Sequence, residues 1–197
     1  MRIFFISLAV FSFAAGLSGC RHRQDSLSMP LRWADAPADL RIFPASGVEL
    51  MKQHAISLQP FTDSRDAKDA VGVNVEDKNR SPVSTKDDVP AFLTGRFAEV
   101  LRANGVESGA ANADRVISVE VQRFFVTESN LYEGDVALGV TLSDAVGRVL
   151  WHGVVEGKSK RFGRSFAAEN YQETLTSASF EAFKSLGEKV DFFASFK

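Results

Sequence analysis

Three stretches of alternating apolar and polar residues between positions 117 and 155 restrict the architectures open to this chain. Alternation with a period of two is the pattern of strands that bury one face. The first stretch begins at Ile117, the second covers 136–142 and the third covers 149–155. The turn-forming sequence Asp-Ala-Val-Gly at 144–147 separates the last two. These residues predict a meander of three antiparallel strands, with a bulge near Phe124 where the alternation slips.

Two other segments have the helical period. Apolar side chains from Val89 to Leu101 fall on one helical face. Asp88 can cap the N-terminus of this helix, and Asn104-Gly105 can end it. A second apolar stripe runs from Tyr171 to Phe193, behind a sequence at Asn170 that resembles a capping box. The pattern therefore predicts one internal helix and one long terminal helix.

The residues before the first helix predict two more strands. Alternation is present at 55–61 and again at 71–75, whereas the charged segment 76–88, with Pro82, indicates an exposed loop. The predicted order is therefore β-β-α-β-β-β-α. We expect a single α+β domain in which an antiparallel sheet of about five strands carries two helices on one face.

The first twenty residues have the layout of a secretory signal peptide. Arg2 precedes an apolar stretch at 3–15, which is shorter than the roughly 20 residues that a membrane span requires. The following Leu17-Ser18-Gly19-Cys20 resembles the bacterial lipobox. That resemblance implies cleavage between Gly19 and Cys20, a thioether-linked diacylglycerol on Cys20 and an acylated new amino terminus. The alternative is a buried structural cysteine near an ordinary cleavage site.

The lipobox also implies where the protein is held. Two or three acyl chains hold a protein stably to a bilayer, whereas one holds it weakly. By resemblance to proteobacterial sorting rules, a residue other than Asp after the acylated cysteine favours the outer membrane over the inner one. Arg21 occupies this position, so we expect anchoring to the outer membrane, facing the periplasm. The expected organisation is a signal peptide at 1–19, an acylated cysteine and tether at 20–47, and one periplasmic domain at 48–197. Trp33 and Leu40 leave open that part of the tether packs on the domain.

Composition excludes several classes of function. Because Cys20 is the only cysteine, there is no intramolecular disulfide, no cysteine-based zinc site and no CxxC redox pair. With 23 Lys and Arg against 25 Asp and Glu, the chain lacks the basic excess of a nucleic-acid-binding protein. His22, His54 and His152 do not have helical ligand spacing, so we expect no metal and no cofactor. The sequence 157–159, Gly-Lys-Ser, lacks the upstream glycine of a phosphate loop, which argues against nucleotide binding.

Two groups of residues are candidates for a role in binding or conformation. A basic cluster can contact the phosphates of an anionic lipid or a partner, or it can protect a sheet edge from pairing; it comprises Lys158, Lys160, Arg161 and Arg164. Asp63 and Arg65 can form a latch, or an Asx-type turn held by an arginine–carboxylate pair. No nucleophile elbow is present, so we expect no catalytic residue. A hydrolase that uses Asp63 or His152 is the third alternative.

Several short phrases resemble one family of bacterial lipoproteins. They are Leu58-Gln59-Pro60-Phe61-Thr62-Asp63-Ser64-Arg65 with Val71-Gly72, and Leu142-Ser143-Asp144 with Gly147-Arg148-Val149-Leu150-Trp151. Together with the lipobox, they resemble the YajG-like uncharacterised lipoproteins. The resemblance implies an envelope location and a small domain without established enzymatic activity. Auxiliary lipoproteins of lipid-transport ABC systems are the nearest competing resemblance. We therefore expect a non-enzymatic binding or assembly module for another envelope component, protein or lipid, or alternatively a lipid-transport accessory protein.

Overall fold

The described part of the chain, residues 25–76, 78–163 and 165–197 of a computed structural model, contains eight strands and four helices. In chain order they are β1 (Leu27–Ser28), α1 (Ala45–Met51), β2 (Ile56–Leu58), β3 (Thr62–Asp63), β4 (Ala70–Asn74), β5 (Ser81–Ser84), α2 (Val89–Ala103), β6 (Arg115–Glu128), β7 (Leu131–Asp144), β8 (Val149–Phe162), α3 (Ala168–Gly187) and α4 (Val190–Ala194).

Three strands of 14 residues each form one side of the sheet, with β8 at its edge. β6, β7 and β8 pair in sequence and antiparallel, which confirms the predicted meander. The register of β6 against β7 shifts between Val121 and Arg123, so Gln122 is the extra residue of the predicted bulge. Gly147 in the turn between β7 and β8 has a φ of 84°, a conformation that glycine adopts without steric cost.

The other edge of β6 is occupied by three short strands placed end to end. β2, β3 and β4 all run parallel to it, with Ile56 opposite Arg115, Thr62 opposite Glu120 and Gly72 opposite Val126. β4 also pairs antiparallel with β5, and β5 pairs parallel with β1. The strand order is therefore β1-β5-β4-β6-β7-β8, with β2 and β3 attached beside β6.

The predicted fold class is wrong in two respects. The sheet is mixed, with eight strands rather than about five antiparallel ones, and four helices rather than two accompany it. The parallel pairs arise because β2, β3 and β4 follow one another along one edge of β6 through short loops, and α2 returns the chain so that β6 runs in their direction. One added strand, β5, lies inside the predicted loop 76–88, where Pro82 is opposite Val73. Another, β1, precedes the predicted domain.

The two predicted helices differ in outcome. α2 is confirmed: the Asp88 carboxylate accepts from the Ala91 backbone nitrogen at 3.0 Å, and the helix ends at Ala103. The prediction of one long terminal helix is wrong, since the segment divides into α3 and α4; at the end of α3, Gly187 lies against the Ile42 carbonyl, which leaves no room for a side chain. The predicted capping box is wrong, since the Asn170 side chain donates to Ser165 Oγ at 2.7 Å and the N-cap is Ala167.

One continuous hydrophobic core joins all four helices to the same face of the sheet. It includes Leu93 and Phe97 of α2, Leu175 of α3 and alternate residues of the long strands. Phe192, Phe193 and Phe196 are buried, so the C-terminal rings belong to this core. The segment before α1 packs on it as well, because Trp33 lies 6.3 Å from the Phe183 ring, centroid to centroid, and Leu40 is half-buried.

Candidate binding surface

Within residues 25–76, 78–163 and 165–197, all four helices lie on one side of the sheet and leave the opposite face of β6, β7 and β8 open. We call this the open face. Its side chains lie in rows across the three strands, because the register places Ser118 opposite Thr141 and Thr141 opposite His152. In the next row Glu120 lies opposite Gly139. Small residues on β7 thus form the floor between longer polar side chains on its two neighbours.

A groove of about 460 Å³ lies on the open face near one end of the sheet. Gln59 and Pro60, from the β2–β3 connection, form one wall with Thr62 of β3, and His152 forms the other. Thr141 Oγ1 lies 3.0 Å from His152 Nδ1, and Gln122 Nε2 donates to a Glu120 carboxylate oxygen at 3.2 Å. The groove therefore presents hydroxyl, carboxylate, imidazole and amide groups to a ligand.

Charges of both signs occupy the rest of the open face. Arg123 Nη1 lies 2.9 Å from Asp135 Oδ2 and 3.9 Å from Glu156 Oε1. Lys160 Nζ lies 2.7 Å from Glu133 Oε1. These pairs join neighbouring strands and are partly exposed, so each contributes little to stability but fixes a mixed-charge pattern that a polar partner can match.

The basic cluster predicted from sequence is divided by the strand alternation. Lys158 and Lys160 lie on the open face, opposite Asp135 and Glu133 of β7. Arg161 lies on the helical face, where its guanidinium contacts the Glu173 carboxylate of α3 and lies 3.9 Å from Asp35. Arg164 lies outside the described residues, as do Gly19, Cys20 and the signal peptide. The structure therefore does not gather the cluster into a single site.

Asp63 and Arg65 form a closed unit after β3. The Arg65 backbone nitrogen and Nε both donate to Asp63 Oδ1 at 3.0 Å, and Nη2 donates to Oδ2 at 2.8 Å. The same guanidinium also donates to the carbonyls of Lys68 and Ala70. Burial opposes ionisation of Asp63, but the Arg65 hydrogen bonds outweigh it and hold the pKa of Asp63 below its ordinary value. This geometry fixes the loop 63–70 against β6.

Asp63 and His152, the two residues of the hydrolase alternative, have different surroundings in the described part of the chain. His152 lines the open-face groove, together with Thr62, but Asp63 is not among the lining residues. The Asp63 carboxylate is instead engaged by Arg65, with Lys68 Nζ 3.6 Å from Oδ1.

His54 bridges two distant parts of the chain, an arrangement that the sequence does not reveal. Its Nδ1 lies 2.6 Å from Asp114 Oδ2, and its Nε2 contacts the Phe196 carbonyl oxygen. The hydrogen bond from His54 lowers the pKa of Asp114. His54 thereby fixes the C-terminal end of the chain beside the start of β2. These contacts span 60 and 142 positions, so no local pattern marks them.

The sequence also gives no sign of a buried carboxylate at the end of β6. Glu128 is fully buried, and its two oxygens accept from the Tyr171 hydroxyl at 2.7 Å and the Phe166 backbone nitrogen at 3.0 Å. Burial and the neighbouring Glu128 raise the pKa of the Tyr171 phenol. The network holds the first turn of α3, together with Phe166 at a φ of 46°, against the sheet.

A second groove, of about 320 Å³, separates α1 from α4 and is mainly apolar. Gly47, Leu50, Val190 and Phe193 are among its lining residues. Over residues 25–76, 78–163 and 165–197, no helix combines the length and hydropathy needed to span a bilayer. Within those ranges, no three His, Cys, Asp or Glu side chains are grouped as metal ligands.

The fold places this chain in a class of small α+β domains already seen in bacterial proteins. A crystal structure of a protein from Xanthomonas campestris, described under the family DUF330, matches with a TM-score of 0.56 and 11% identity, covering 85% of this chain and 96% of that one. A likeness at this identity establishes the fold alone.

Two further solved structures score lower. A candidate lipoprotein from Caulobacter crescentus has a TM-score of 0.42 at 15% identity, covering 53% of this chain and 83% of its own. PelC from Paraburkholderia phytofirmans, solved as a dodecamer, has a TM-score of 0.41 at 18% identity, covering 67% and 86%. No protein-family model and no curated protein matches the sequence.

Proposed function

We propose that this protein is an acyl-anchored lipoprotein of the bacterial outer membrane that binds another envelope component through its open face, without catalysing a reaction. The anchor is proposed on Cys20, where the lipobox resemblance ends. The observation that carries the binding role is the uncovered face of three 14-residue strands, which contains a polar groove of about 460 Å³.

The rigidity of the open face supports this role. Each of the three strands is hydrogen-bonded over most of its length, and the helices fix the opposite face. A partner therefore meets side chains that are already positioned, which reduces the entropy lost on binding. The mixed charges around Arg123 favour a protein partner with a complementary polar surface over an apolar ligand.

Photo-crosslinking in intact cells tests the proposed surface. A photoreactive benzoylphenylalanine replaces Glu120 on the open face, and a matched variant carries it at Arg102, which is exposed on α2. We expect one discrete product from position 120, identified as the same component by mass spectrometry, and no such product from position 102.

A groove-filling variant makes the test specific. Thr141→Arg adds bulk to the groove beside His152 and should remove the product formed from position 120 while leaving the circular dichroism spectrum unchanged. The same products from positions 120 and 102, or a product that survives Thr141→Arg, would contradict binding through this surface.

The apolar groove between α1 and α4 favours a second candidate, an accessory lipoprotein of a lipid-transport system. Its lining by Leu50, Val190 and Phe193 suits an acyl chain. Native mass spectrometry of the gently purified protein should then detect a lipid beyond the covalent anchor, and Ser46→Trp, at an exposed position that lines the groove, should displace it. Recovery of the anchor lipids alone would reject this candidate.

A further inference from the structure

Six strand ends meet at one end of the sheet, which we call the proximal end. β1 and β5 begin there, because Leu27 lies opposite Val83 in a parallel pair. β4 and β6 end there, with Asn74 opposite Glu128. β7 begins and β8 ends there, with Leu131 opposite Phe162. Asp25, the first described residue, therefore lies at the same end of the sheet as Phe162, the last residue of β8. The two residues are at opposite edges, because β1 and β8 are the outermost strands.

The segment that follows Asp25 is fixed to the domain rather than free. The Met29 backbone nitrogen donates to the Ser84 carbonyl at 2.9 Å. On α3, Gln172 Nε2 donates to the Pro30 carbonyl at 2.8 Å, and Thr176 Oγ1 accepts from the Ala34 nitrogen at 3.1 Å. Further along, Asn104 Nδ2 donates to the Leu40 carbonyl at 3.0 Å. The distance between the domain and a lipid on Cys20 must therefore be spanned by the residues before β1.

That span is short. Asp25 is five positions after Cys20, and five fully extended residues reach about 18 Å. A 27-residue tether would reach about five times as far. A lipid on Cys20 consequently holds the proximal end close to the bilayer surface, whereas the opposite end, with the β7–β8 turn, is a full strand length further away.

The side chains at the proximal end suit a membrane surface. Phe162 is 82% exposed, an unusual position for a phenylalanine, and follows Lys160 and Arg161 on β8. Lys78 and Arg80 are exposed on the connection between β4 and β5. Because Glu133 and Glu173 already pair with Lys160 and Arg161, the ring contributes more to the contact than net charge does.

We propose that the proximal end lies against the bilayer, with the Phe162 ring in the headgroup region and Lys78 and Arg80 toward lipid phosphates. Aromatic and basic side chains are the residues that surface-bound proteins place at this depth. The inference rests on the proposed anchor at Cys20. It adds an orientation in which the β8 end faces the lipid and the β7–β8 turn faces away.

Depth-dependent quenching in vesicles tests the orientation. The full-length acylated protein is reconstituted in phosphatidylethanolamine–phosphatidylglycerol vesicles that contain a nitroxide-labelled lipid. An environment-sensitive fluorophore is attached to Asn130→Cys, which is exposed in the β6–β7 turn at the proximal end and leaves Phe162 in place, or, as the control, to Val146→Cys, which is 88% exposed in the β7–β8 turn. Acylation consumes the thiol of Cys20, the only natural cysteine, so the introduced thiol alone is labelled.

Flotation of the same samples separates the two claims. We expect both variants to float with the vesicles, and the label at position 130 to lose about half its emission to the nitroxide while the label at 146 loses none. Flotation with equal emission at the two positions overturns the orientation and leaves the anchor standing. Failure to float, with no lipid on Cys20 by mass spectrometry, overturns the anchor and the orientation together.

Discussion

The Arg65 guanidinium binds both carboxylate oxygens of Asp63, with Nε 3.0 Å from Oδ1 and Nη2 2.8 Å from Oδ2. The pair is largely shielded, since its side chains are 7% and 12% exposed, and the guanidinium also holds two backbone carbonyls of the loop 63–70. A two-residue strand such as β3 has few hydrogen bonds of its own. Its attachment to β6 therefore depends on this pair.

Loss of the Asp63 charge should destabilise the domain. Asp63→Asn leaves the buried guanidinium without its counter-charge, and we expect the free energy of unfolding to fall by about 3 kcal/mol in urea titrations. The control is Asp66→Asn, an exposed position in the same loop, which should change it by less than about 0.5 kcal/mol. Equal effects of the two substitutions would show that the pair does not hold the loop.

The same pair predicts an acid-sensitive part of the stability. The pKa of Asp63 is lower in the folded protein than in the unfolded chain, where it is about 3.9. The contribution of Asp63 to the free energy of unfolding is thus complete when the pH is above the unfolded-state pKa. It is lost as the pH falls through the pKa of Asp63 in the folded protein. Unfolding measured between pH 6 and 2 should show a shallower acid dependence in Asp63→Asn than in the wild type. Parallel curves would contradict the assignment.

Gly157 permits β8 and α3 to touch through their backbones. A Cβ atom there would overlap the Ala178 carbonyl oxygen and the Ala182 nitrogen. We expect Gly157→Ala to lower the melting temperature, with a cost of about 1–3 kcal/mol or more. Gly95→Ala, at an exposed site of α2 with open space around it, should raise stability by about 0.5–1 kcal/mol. A change of the same sign in the melting temperatures of the two variants would contradict this packing.

His54 should control the local stability of the C-terminus. His54→Phe keeps a ring beside Phe196 but removes the contacts to Asp114 and to the Phe196 carbonyl. Hydrogen exchange in α4 should accelerate about tenfold, the equivalent of one lost hydrogen bond, while exchange in the centre of α3 stays unchanged. His152→Phe, on the exposed open face, serves as the control. Unchanged exchange in α4 would show that His54 does not hold this segment.

The parts of the fold that could be predicted from the sequence are those with long local patterns. α2 has both a periodic face and its Asp88 cap, and the three long strands alternate over enough residues for their pairing and bulge to be inferred. The division of the basic cluster could also be inferred, because strand alternation places Lys160 and Arg161 on opposite faces.

The remaining features depend on contacts between distant residues. β1 and β3 have two residues each, which is too few to show a period, and they exist only because β5 and β6 offer them an edge. The apolar stripe continues through the break between α3 and α4, so nothing local reveals that Ile42 approaches Gly187. The His54 and Glu128 networks likewise join residues far apart in sequence.

The anchor on Cys20 is the central claim, and the intact mass of the protein extracted from outer membranes with mild detergent tests it most directly. We expect a chain that begins at Cys20 and carries the added mass of a diacylglyceryl group and an amide-linked acyl chain. The Cys20→Ala variant should retain residues 1–19 and carry no lipid. A mature protein without added lipid mass, or the same processing in Cys20→Ala, would contradict the account.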